Sequence, residues 1–164
     1  LSLKIGIQSV NPLQGDEDLS KATIDFITKY IKNHFPNLSG RELNEFIAIT
    51  FDSLSKGDRG QSITDYMNSI NLSESNISVY DSVLDLSMRP LAFISRYRLI
   101  RSNIKYYTWM ALNDERTSQE HRELSGKTFA LLPEYQTKDF PYIDNYPGSE
   151  HLCRCYMDPV FDDK

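Results

Sequence analysis

From residue 16 onward, apolar positions recur every three or four residues. Leu19, Ile24, Ile27, Tyr30, Ile31 and Phe35 fall on one helical face, acids occupy the first turn, and Pro36 ends the run. Ser39-Gly-Arg-Glu42 has the spacing of a capping box, in which a serine hydroxyl and a glutamate carboxylate each satisfy a free backbone N–H. It predicts a second helix whose apolar face carries Leu43, Phe46, Ile47 and Phe51. The glycines and polar residues of "SKGDRGQS" (55–62) predict a loop. Shorter helices are expected over 63–72 and about 77–87, separated by "SESN" (73–76). Pro90 reads as a new start, from which "LAFISRYRLIRSNIKYY" runs as one long helix. Ahead of all these, residues 1–15 read as a short strand or extended arm ending at Pro12 and Gly15.

The period shortens after Tyr106. "YYTWMAL" is aromatic and β-prone, "DERTSQEHREL" suggests a turn and one or two helical turns, and "GKTFALL" suggests another short strand. Prolines and a glycine punctuate the stretch that follows, and "HLCRCYMDPV" is the candidate closing strand. In between, Tyr135, Phe140, Tyr142 and Tyr146 are expected to clamp a loop over the module or to form a docking surface. The fold class is therefore α+β: a helical region over 1–90, then a small, strand-poor module over 91–164.

Composition narrows the class without naming a function. The chain has 164 residues, 40% of them hydrophobic and 12% aromatic, which is enough to bury a core. A net charge of −5 gives no global reason to expect nucleic-acid binding. No apolar run is long enough to span a membrane, and Leu1–Val10 does not read as a signal peptide. The chain starts without Met, which reads as a fragment of something longer. Two cysteines spaced C-x-C make no disulfide framework, so a reducing compartment is the default.

The candidate chemistry gathers near the carboxyl end. Trp109, Asp114-x-Arg116, His121-x-x-Leu124-x-Gly126-x-x-Phe129, Pro147-Gly148 and Cys153-Arg154-Cys155-Tyr156 together form a pattern. It resembles the Mu F-like family of phage minor head proteins, also called phage head morphogenesis proteins. "FISRYRLIRSNIKYY" looks like the A-R-x-E helix that leads into that family's module. The resemblance covers residues 91–160. It implies a structural role in the virion: few copies per particle, contact with portal or capsid proteins, and help in head assembly or in DNA packaging or delivery. It implies location in the virion or the bacterial host cytoplasm, and no membrane. The same module precedes toxin domains in some bacterial proteins. A toxin or effector fragment with nuclease or transferase activity is thus the alternative, marked by a catalytic domain after residue 164. The chain departs from the pattern at Ser118 and His121, where some relatives resemble C-x-x-C. It departs again at Glu150, where others carry His, with His151 here beside it.

Two readings of the cluster follow. His121, His151, Cys153 and Cys155 supply four nitrogen or sulphur ligands, the number a tetrahedral Zn²⁺ takes. Against this, C-x-C on an extended strand sends its thiols to opposite faces, so both reach one metal only if the strand bends. The favoured reading needs no cofactor: Asp114, Arg116, Arg154 and Trp109 form a structural polar core, with Arg–carboxylate contacts pinning the turn after Trp109 to the closing strand. Catalysis ranks last, because "HREL" matches no nucleophile or metalloprotease signature. Separately, Arg98, Arg101 and Lys105 share a helical face at spacings of three and four, a candidate contact for DNA or an acidic partner. His34, at a helix end, is assigned no function.

Overall fold

The structure is a computed structural model that describes residues 15–72, 78–112 and 117–161. The arm predicted over 1–15 and the "SESN" separator therefore lie outside the described residues, apart from Gly15. The chain forms two compact units that divide between Leu91 and Ala92.

In the first unit, helix α1 runs Glu17–His34, with Asp16 Oδ1 accepting the Leu19 N–H at 2.9 Å. Its buried face is Leu19, Thr23, Ile27, Tyr30 and Ile31. Thr23 takes the inner position and Ile24 lies outside it, 38% exposed, because Thr23 satisfies its hydroxyl internally on the Leu19 carbonyl at 2.7 Å. Helix α2, Gly40–Lys56, starts at the predicted capping box, with both reciprocal bonds formed. It ends on Gly57, whose φ of 68° is the left-handed cap that glycine allows. The predicted loop is consequently shorter than expected, and α3 begins at Gln61 and ends at Ser69. Asp58 holds this corner by accepting from the hydroxyls of Ser53 and Ser62 and from the Gly60 N–H. Burial alone would raise the Asp58 pKa, but these bonds outweigh it and hold the carboxyl below its ordinary value.

Pro90 does not start a helix. Helix α4 runs Val79–Arg101 straight through it, opened by Ser78 Oγ accepting the Asp81 N–H. Proline forfeits one helical hydrogen bond. Ser82, Leu86, Pro90 and Ile94, four residues apart, are all buried along one stripe, and burial of that stripe outweighs the missing bond.

The core of the first unit joins Phe35, Phe46 and Tyr66, with ring centroids 5.5 Å apart in each successive pair, to Ile27, Ile31, Ile63, Met67 and Leu86. Within it, the Tyr30 hydroxyl donates to Asp85 Oδ2 at 2.7 Å, and the Arg89 guanidinium lies 5.5 Å above the Tyr30 ring. Burial, and then Asp85, push the Tyr30 pKa well above that of a free phenol. Tyr30→Phe deletes a donor to a carboxylate that is 1% exposed, so a loss of about 1–3 kcal/mol is expected in a denaturant titration.

The second unit contains the end of α4. Its stop is a Schellman motif: Ile104 N–H donates to Leu99 O and Asn103 N–H to Ile100 O, with Asn103 left-handed at φ 60°. The helix predicted to reach 105 and beyond thus ends four residues short of Lys105. Strand β1 follows at Tyr106–Met110, then the short helix α5 at Gln119–Leu124, β2 at Thr128–Ala130 and β3 at Tyr156–Val160. They build a three-stranded antiparallel sheet in the order β2-β1-β3. Tyr107, Trp109, Phe129, Leu131 and the two cysteines form its core. The α+β class read from the sequence is the observed one. The aromatic loop is strapped down by Phe140 against Tyr106 (5.0 Å), by Ala130 N–H on the Pro141 carbonyl, and by Arg96 over Tyr146 (5.2 Å).

Candidate metal centre

Two turns bring the chemistry together. Ser118 caps α5, its hydroxyl accepting the His121 N–H at 3.2 Å, and so fixes the first turn that carries the imidazole. On the other side, Tyr146-Pro147-Gly148-Ser149 is a turn closed by Ser149 N–H on Tyr146 O, with Gly148 at φ 85°. A second turn closes directly after it, Cys153 N–H donating to Glu150 O, with Leu152 left-handed at φ 56°. This turn sets Glu150 and Cys153 side by side and carries His151 at its exposed tip.

The cysteines are not on a strand. Cys153-Arg154-Cys155 is irregular backbone that precedes β3, so the alternation expected of an extended C-x-C does not apply. Both thiols are buried, and both converge on one atom. Cys153 Sγ lies 3.5 Å and Cys155 Sγ 3.6 Å from His121 Nδ1. These three ligand atoms all lie within 4.8 Å of one another. On the far side of the ring, His121 Nε2 is 3.0 Å from Glu150 Oε2. That is an ion-pair distance, although its angle does not make it a hydrogen bond. Trp109 covers the ring, centroid to centroid at 5.3 Å. The indole N–H, likewise without a hydrogen bond of good geometry, is close enough to Cys155 to pull its pKa down. Burial is the larger influence. It pushes the Cys155 thiol up to about 11, aided by neighbouring Cys153 and Glu150.

Of the four sulphur and nitrogen ligands expected from the sequence, the fold joins His121, Cys153 and Cys155, while His151 is exposed and outside the group. Glu150, which residue type alone did not single out, occupies the position beside the imidazole. Of the proposed polar core, Trp109 is fully buried and Arg154 is half-buried, whereas Asp114 and Arg116 lie outside the described residues. Arg98, Arg101 and Lys105 are exposed but do not form one helical stripe, since Lys105 lies past the Schellman stop. Arg101 sits over Tyr97 at 5.5 Å and Lys105 over Tyr135 at 5.8 Å.

The second unit is thus a small α+β module in which a three-stranded antiparallel sheet carries a buried His–Cys–Cys corner. Residues 50–158 match the family model described as Phage Mu protein F like protein. The chain therefore belongs to the phage Mu protein F-like family, a family of structural phage head proteins and not of enzymes. It is also 35% identical over 78 residues to an uncharacterized protein of Haemophilus influenzae, covering 48% of this chain and 16% of that relative. The chain thus spans a small part of the relative's length. No solved structure matches. No helix among the described residues is long and apolar enough to cross a membrane.

Proposed function

We propose that this chain is part of a minor head protein that acts in head morphogenesis, DNA packaging or delivery by contacting other virion proteins, with portal and capsid proteins as the partners. Membership of the Mu F-like family carries this reading. The surface of the second unit supports it. Tyr156 and Val160 in β3 and Phe161 just after it are 52%, 39% and 69% exposed, and among the described residues β3 is an edge strand. Pro159 in that strand discourages the addition of a further strand, so contact there is made through side chains. The test is to purify heads assembled with the full-length protein and measure its copies per particle by mass spectrometry. Tyr156→Ser with Phe161→Ser is expected to lower the copy number several-fold while leaving the fold intact. Heads that never contain the wild-type protein would end the reading.

Contact with DNA is a second activity of the same proposal, carried by exposed Arg98, Arg101 and Lys105. Affinity that falls steeply with salt, and falls less steeply after Arg98→Ala and Arg101→Ala, is the expected outcome. An absence of binding at low salt would remove it.

A further inference from the structure

We propose that His121, Cys153 and Cys155 hold one zinc ion, with Glu150 orienting the imidazole from behind. The inference does not depend on the virion role. A Zn–S bond of about 2.3 Å and a Zn–N bond of about 2.0–2.1 Å at a tetrahedral angle place sulphur and nitrogen about 3.6 Å apart. The two observed separations are 3.5 and 3.6 Å. A thiol–imidazole hydrogen bond has a similar length, so distance alone does not decide; the number of sulphurs does. A neutral imidazole offers a single lone pair at Nδ1, which one S–H can engage. Here two sulphurs face that lone pair, an arrangement that one central cation accounts for in full.

Three further observations agree. Glu150 Oε2 lies 3.0 Å from Nε2, so a small rotation of this half-exposed carboxylate completes the carboxylate–histidine pairing that leaves Nδ1 free to coordinate. The buried indole of Trp109, whose N–H lacks a hydrogen bond of good geometry, covers the His121 ring at 5.3 Å and walls this side of the corner off from solvent. Charge also balances: two thiolates neutralise a divalent cation inside a buried corner, while the Glu150 side chain stays about half exposed. Binding releases the two thiol protons to solvent as the two Zn–S bonds form. Soft thiolates select zinc over magnesium or calcium. Among the described residues His121, Cys153 and Cys155 are the group that meets at this point, and the exposed His151 is outside it.

The test titrates Zn²⁺ into the purified full chain under reducing conditions and counts bound metal by elemental analysis. One zinc per chain is expected. His121→Ala, Cys153→Ser and Cys155→Ser should each abolish stoichiometric binding. Glu150→Gln should keep the stoichiometry and weaken affinity about 10- to 100-fold, and His151→Ala should change neither. The two exposed-residue variants leave the core intact, so they read the site even if a cysteine variant fails to fold. Co²⁺ should give a thiolate charge-transfer band that disappears with Cys155→Ser. Wild-type protein that takes up no zinc, one zinc shared between two chains, or loss of metal on His151→Ala with retention on His121→Ala would overturn the assignment.

Discussion

Trp109→Ala is expected to destabilise the second unit by about 3–5 kcal/mol, the range for truncating a buried large aromatic. Trp109 is fully buried on the middle strand, packs edge-on against Phe129 at 6.4 Å, and covers the His121 ring. Domains are stable by only about 5–15 kcal/mol, so the loss takes a large share of the total. Guanidinium unfolding followed by far-ultraviolet circular dichroism reads it directly. Leu112→Ala, at a residue 41% exposed, is the control and should stay within about 0.5 kcal/mol of wild type. If the two variants unfold together, Trp109 is not a core residue and the structural account of the sheet fails.

Gly148→Ala should be the second most damaging change, at about 2–5 kcal/mol from left-handed backbone strain plus overpacking. A Cβ at Gly148 would stand 2.6 Å from the Ala92 Cβ and 3.2 Å from the Cys155 carbonyl oxygen. Gly126 has the same φ of 85° and open space around it. Gly126→Ala therefore pays the strain alone, about 1–2 kcal/mol, and the difference between the variants isolates the clash. Because that clash pushes on Cys155, Gly148→Ala should also disturb the His–Cys–Cys corner, seen as faster reaction of the thiols with a thiol-specific reagent. Equal stability of the two alanine variants would mean that the Pro147-Gly148 turn does not approach α4 as closely as described.

Local signals in the sequence were the readable ones. The capping box at Ser39 and the stop near Pro36 depend on residues within one helical turn, so residue type and spacing suffice. The aromatic character of "YYTWM" likewise announced β1. Pro90 misled because the local cost of a proline was set against a buried stripe of four-residue spacing, and tertiary burial prevailed. The end of α4 was legible in principle, since Asn tolerates the left-handed conformation that Asn103 adopts, but nothing marked Asn103 apart from other polar residues.

The site was half legible. Residue chemistry singled out His121, Cys153 and Cys155, and the fold brings them together. The choice between His151 and Glu150 was not accessible, because it rests on a turn with a left-handed leucine, a conformation that leucine rarely advertises. The same turn explains why the strand-alternation argument against a shared point for the thiols did not hold.

The order β2-β1-β3 has a consequence for synthesis on the ribosome. The central strand is made first and gains one neighbour early, but its other flank stays open until residues 156–160 emerge. A nascent chain stalled before Tyr156 therefore exposes the backbone of β1 and its tryptophan to any passing polypeptide, a hazard that ends only when the last strand docks.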